Sequence, residues 1–168
     1  MSSSTLQDHP PFTGHSPEQE RPLGGYMVLT GAFAALLGAF VTWFRASERE
    51  LPDTIESRDL VLVAIATHKS ARLIGRDRVT STVRAPFTTF QDDAGPSEVN
   101  EAARGHGIRR AIGELLICPY CLGPWLATGF VAGLAVAPRA TRWIASTLVA
   151  VTAADALQIA YAKAEQTL

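Results

Sequence analysis

Apolar positions in this chain are bunched rather than spread, and the bunching predicts helices that cross a membrane. No charged residue occurs from Pro22 to Phe44, and none from Leu115 to Pro138. Both runs reach the roughly 20 apolar residues that a helix needs to cross hydrocarbon. The stretch 26–44 begins with Tyr26 and ends with Trp43 and Phe44, where amphipathic rings favour the two interfaces. Gly31, Ala35 and Ala39 recur along it every four residues and predict a smooth strip for a neighbouring helix. Residues 122–136 complete a second clear span, in which Gly129 and Gly133 form a G-x-x-x-G step. A third runs from Trp143 to Tyr161, again bounded by interfacial rings.

A fourth segment is less clear. Leu60 to Thr67 is too short to cross alone and continues into His68, Lys69, Ser70, Ala71, Arg72, Leu73 and Ile74. It reads either as a span whose polar half faces protein or as an amphipathic helix lying at the interface. The predicted fold is therefore all-α: a polytopic transmembrane bundle of four spans, or three plus an interfacial helix.

Polar stretches complete the outline. Residues 1–25 are rich in Ser, Pro, Gly, Gln and Glu and predict a disordered tail, in which His9 and His15 read as solvated. Only Arg21 lies directly before the first apolar run, less than the charged region of a secretory signal, so that span is expected to be retained. Residues 75–114 form the longest polar segment, interrupted by Pro86, Gly95 and Pro96. Near its end Ile108, Ala111, Ile112, Leu115 and Leu116 fall on one helical face, with Arg109, Arg110 and Glu114 on the other. This predicts a short interfacial helix with its arginines among anionic head groups.

Composition agrees, since 47% hydrophobic residues and a positive mean hydropathy are high for a soluble domain of 168 residues. The formal net charge of −1 argues against nucleic acid as a partner. Charge distribution says more. Eight of the fifteen Lys and Arg residues lie between Lys69 and Arg110, which places the 75–114 loop in the cytoplasm by the positive-inside rule and suggests contact there with membrane lipid or a protein partner. With that sidedness the second and fourth spans run in the same direction. Asp155 then lies about 18 Å below Trp143, and Lys69 and Arg72 lie roughly 15 to 20 Å below Asp59. A carboxylate at that depth needs a partner. The expected intramembrane polar cluster is His68, Lys69, Arg72 and Asp155, with Asp155 paired to Lys69 or Arg72.

The two cysteines of the chain carry its candidate chemistry. Cys118 and Cys121 stand in G-E-L-L-I-C-P-Y-C-L-G-P-W, residues 113–125. A helix beginning at Pro119 would have Cys118 as its N-cap and bring Cys121 to the same face one turn later. A helix mouth favours thiolates, and the spacing suits packing as small apolar groups, thiol–disulfide exchange, or half of a zinc site. His68 and His106 could complete such a zinc site, or two chains of a homo-oligomer could each give a cysteine pair. No Gly-rich phosphate loop, H-E-x-x-H or G-x-S-x-G occurs.

T-H-K-S-A-R-L-I at 67–74, R-A-P-F-T at 84–88 and the C-P-Y-C-L-G-P-W element at 118–125 resemble the small bacterial membrane proteins grouped as DUF1360. The resemblance covers roughly residues 59–162, leaving the tail and the first span outside it. It implies an integral membrane protein of the cell membrane, with a sporulation-associated member in spore formers, and it supplies no reaction. The expected function is a non-catalytic membrane interaction or structural role, with a redox or zinc centre at Cys118 and Cys121 as the alternative.

Overall fold

The computed structural model describes residue 15, residues 21–52 and residues 54–166. Most of the expected disordered tail, His9 included, lies outside the described residues, while His15 is exposed. Among the described residues the order is α1 (Leu23–Ala46), α2 (Ser57–Gly75), α3 (Ser81–Arg84), β1 (Thr88–Gly95), β2 (Glu98–Ala103), α4 (Gly107–Leu116), α5 (Pro119–Val136) and α6 (Pro138–Glu165).

Three of these, α1, α5 and α6, are long and apolar enough to cross a membrane. Helix α1 starts three residues before Tyr26 because its first turn packs on α4. A Cβ built on the buried Gly25 would stand 2.6 Å from Ala111 Cβ and 2.9 Å from the Gly107 carbonyl oxygen, so only glycine admits that approach. Beyond that turn the expected packing strip is uncovered, with Gly31, Ala35 and Ala39 all exposed. The G-x-x-x-G step of α5 is used at one end only. A Cβ on Gly133 would meet Thr141 Oγ1 of α6 at 2.7 Å, whereas Gly129 has open space around it.

Helix α2 has 19 residues, about 28 Å of rise, but lacks the apolar character of the other three. It packs against both α5 and α6, burying Val63, Ala66 and Ala71. Ion pairs set its direction. At its first turn Asp59 accepts two hydrogen bonds from the Arg142 guanidinium of α6, at 2.9 and 2.6 Å. Further along, Lys69 reaches Asp155 of the same helix. Helices α2 and α6 therefore run side by side in the same direction. At the end of α2, Gly75 lies against the turn into α5, where an added Cβ would be 2.8 Å from the Leu116 carbonyl oxygen. At the opposite end, Arg49 beyond α1 donates to the Val136 carbonyl at 3.2 Å.

The all-α expectation needs correction at the 75–114 segment, which is a folded cap containing an antiparallel hairpin. Its register runs from Thr88 opposite Ala103 to Gly95 opposite Glu98, and its turn holds Ser97 at φ 62°. No alternation announces these strands, since Thr88 is the one buried residue of β1. A buried ion pair takes the place of an apolar face. Arg84, with no exposed surface, donates to both carboxylate oxygens of Glu101 (2.9 and 3.1 Å) and to the carbonyls of Ile74 (2.6 Å) and Asp77 (2.9 Å). It also meets Thr80 Oγ1 and Ser81 Oγ. Glu101 accepts in addition from Ser81 and Thr88, each at 2.7 Å. One guanidinium thus ties the end of α2, the following turn, α3 and β2 together.

Burial opposes ionisation of Glu101, but the hydrogen bonds from Arg84, Ser81 and Thr88, with the Arg84 charge, outweigh it and hold the carboxyl below its ordinary value of 4.5. Because the folded-state value is the lower one, this stabilisation is complete above pH 4.5 and is lost as pH falls through the folded value. Acid titration of thermal stability in detergent is expected to show that loss in the native protein, and a Glu101→Gln variant is expected to lack its share of it.

The cap rests on α4 through a second glycine. A Cβ on Gly113 would stand 2.4 Å from the Phe87 carbonyl oxygen and 3.0 Å from Ala103 Cβ. Gly113→Ala is expected to cost about 1–3 kcal/mol by overpacking. Gly129→Ala, with nothing within 4 Å, is expected to be neutral or stabilising through helix propensity. Unfolding midpoints of the two variants in one detergent check the contrast.

Candidate functional site

Helix α5 begins as the C-P-Y-C spacing predicts. Pro119 is its first residue and Cys118 its N-cap, the Cys118 sulfur accepting a hydrogen bond from the Cys121 amide at 3.2 Å. The Cys118 carbonyl accepts from the amides of Cys121 (2.9 Å) and Leu122 (3.0 Å). The two sulfurs are joined in a disulfide. The pair therefore stands here as a disulfide and not as two metal-ligating thiolates. His68 and His106 do not join it: among the described residues no three His, Cys, Asp or Glu side chains come close enough to hold a metal ion. His106 instead precedes α4 as its N-cap residue. His68 lies on α2, lining a groove of about 310 Å³ with Arg72, Tyr120 and Thr67, whose buried hydroxyl has no hydrogen-bond partner among the described residues.

A larger cavity, about 650 Å³, lies on the other side of α5, between it, α1 and α4. Cys118 and Cys121 form part of its wall, with Leu29, Phe33, Leu115 and Trp125 supplying apolar surface. Phe33 and Trp125 meet edge to face, their centroids 5.0 Å apart. One corner is polar. Tyr26 donates its hydroxyl proton to Glu114, which also accepts from Arg110 at 3.0 Å, and Arg21 lines the same corner. Cys121 is exposed and Cys118 half-buried, so the disulfide is open to reagents.

The polar residues of α2 separate into different environments. Lys69 Nζ lies 2.5 Å from Asp155 Oδ2, whereas Arg72 turns toward the cap and pairs with Glu98. The arginines of α4 also bind protein. Arg109 donates twice to the Pro86 carbonyl, at 2.9 and 2.7 Å, and Arg110 serves Glu114. Much of the basic charge read from the 75–114 segment is matched inside the cap, where Arg78 also meets Asp93 at 2.8 Å. Sequence reasoning missed the Arg84–Glu101 and Asp59–Arg142 pairs. The nearest signal was Arg84 within R-A-P-F-T, an arginine in a short apolar context. It also missed the role of α1, whose residues form one wall of the cavity.

Over 93 residues the chain is 32% identical to the sporulation protein YjcA of Bacillus subtilis strain 168, a match covering 54% of this chain and 79% of that protein. No solved structure matches it. Residues 62–161, from within α2 to near the end of α6, match the family described as "Protein of unknown function (DUF1360)". That stretch contains the cap, the disulfide and the Lys69–Asp155 pair, and with it the chain belongs to the DUF1360 family.

Proposed function

We propose that this protein crosses the membrane four times and acts as a non-catalytic interaction or structural protein, with its folded cap toward the cytoplasm. The observation that carries this reading is the pairing of α2 with α6. Asp59–Arg142 and Lys69–Asp155 partner the charges along that contact, so a helix too polar to face lipid alone can cross against protein. The excess of basic residues between Lys69 and Arg110 supports the sidedness. Val79, Val83 and Phe90 stand exposed on the cap and offer an apolar surface to a protein partner. YjcA is a sporulation protein by name, and we extend that setting to this chain. In-cell photo-crosslinking from position 83 tests the interaction. A discrete protein adduct that Phe90→Glu removes is expected. Lipid-only or diffuse products from positions 79, 83 and 90 would overturn it.

A second reading, a thiol–disulfide centre, is favoured by one observation: the bonded pair Cys118–Cys121 is accessible at a helix mouth and walls a cavity. Trapping thiols with acid and maleimide in living cells tests it. Both redox states are expected. A pair that stays oxidised after cells are treated with a permeant reductant would remove the reading.

A further inference from the structure

We infer that the Cys118–Cys121 pair exchanges two electrons with a lipid-soluble quinone held in the cavity between α1, α4 and α5; this rests on the thiol–disulfide reading and names its partner. The cavity suits such a molecule in size and lining. About 650 Å³ falls within the range of small-molecule sites. Phe33 and Trp125, packed edge to face on each other, give the wall aromatic surface against which a planar ring can pack, and Leu29 continues the apolar surface along α1. Quinone carbonyl oxygens need hydrogen-bond donors; the Thr30 hydroxyl on the α1 wall is one, and the corner formed by Arg21, Tyr26 and Glu114 is the polar end of an otherwise apolar lining. The walls α1 and α5 are both apolar enough to cross a membrane, so the cavity between them is one that a carrier dissolved in hydrocarbon would approach from the bilayer.

Sidedness gives the second argument. With the proposed sidedness the cysteine end of the bundle faces the cytoplasm, where soluble thiols keep dithiols reduced. Forming the Cys118–Cys121 disulfide on that side needs an oxidant of its own, and a quinone in the bilayer supplies one. The step balances. Both S–H bonds break and the S–S bond forms, two electrons and two protons pass to the quinone, and its two carbonyl oxygens become the hydroxyls of a hydroquinone. Cys118 is the sulfur prepared to be a thiolate, because the Cys121 amide donates to it at the positive end of α5.

The test uses the full chain purified in detergent, reduced and freed of reductant. The probe is a fully substituted benzoquinone with a decyl tail, which has no open ring carbon for thiol addition. One quinone reduced per chain and two thiols lost are expected, and Cys118→Ser should abolish both. Phe33→Ala should slow the quinone reaction about tenfold more than it slows oxidation by glutathione disulfide. Oxidation by glutathione disulfide without reaction with the quinone would overturn the inference and leave the thiol–disulfide reading standing. A pair inert to both oxidants would overturn the two together. Equal slowing of both reactions in Phe33→Ala would show that the cavity plays no part and would also overturn the inference.

Discussion

Arg84→Leu is expected to destabilise the protein by about 3–5 kcal/mol, the cost of leaving a buried carboxylate without its cation. Glu101 is about 5% exposed and has no other guanidinium paired with it among the described residues, while the carbonyls of Ile74 and Asp77 would each lose a charged donor. The loss should reach well beyond the cap, because Arg84 fixes the end of α2 relative to the hairpin that supports α4 and the start of α5. Unfolding midpoints in detergent and yield in the membrane fraction measure it. The double variant Arg84→Leu, Glu101→Leu should be closer to wild type than the two single losses added together, since it leaves neither charge uncompensated. A single-variant loss under about 1 kcal/mol would mean that the pair is not what holds the cap.

Reversing either charge of the Lys69–Asp155 pair should be almost as costly. Asp155→Lys sets two cations together, and Lys69→Asp two carboxylates; with α2 and α6 crossing as proposed, one uncompensated charge at that depth costs about 3 kcal/mol. That corresponds to roughly a hundredfold in the folded-to-unfolded ratio. Each single variant should therefore be depleted from membranes, and the exchange Lys69→Asp with Asp155→Lys should restore it. Arg72→Asp combined with Asp155→Lys should give no rescue, because Arg72 serves Glu98. Rescue through Arg72 instead of Lys69 would contradict the pairing.

These two pairs show how unevenly the sequence disclosed the structure. Uncharged runs around α1 and α5 and the spacing of Ile108, Ala111 and Leu115 made those helices legible, because burial in lipid or against a cap imposes long apolar stretches or a helical period. The depth match between Lys69 and Asp155 was also legible, because helical rise converts sequence distance to height. The hairpin was not. Its strands T-T-F-Q-D-D-A-G and E-V-N-E-A-A carry no two-residue alternation, and what orders them is Arg84, reached from a helix before the first strand. Polar cores of this kind rest on geometry among residues distant in sequence, which periodicity does not register.

The candidate site divides in the same way. Cys118 at a helix mouth followed from Pro119 and the three-residue spacing, a local property of the backbone. The cavity behind it did not, since Tyr26, Leu29 and Phe33 come from a helix some 90 residues earlier. His68 and His106 were attractive as zinc ligands by residue type alone. The fold instead places His68 in a groove on α2 and His106 at the start of α4.

Whether α2 crosses the membrane is tested most directly by labelling its two ends with a maleimide that cannot permeate intact cells. In a Cys118→Ser, Cys121→Ser background, Arg58→Cys should react in intact cells, whereas Val79→Cys, on the exposed surface of the cap, should react only after permeabilisation. Labelling of both positions from the same side would show that α2 lies along the membrane surface, and would contradict the account.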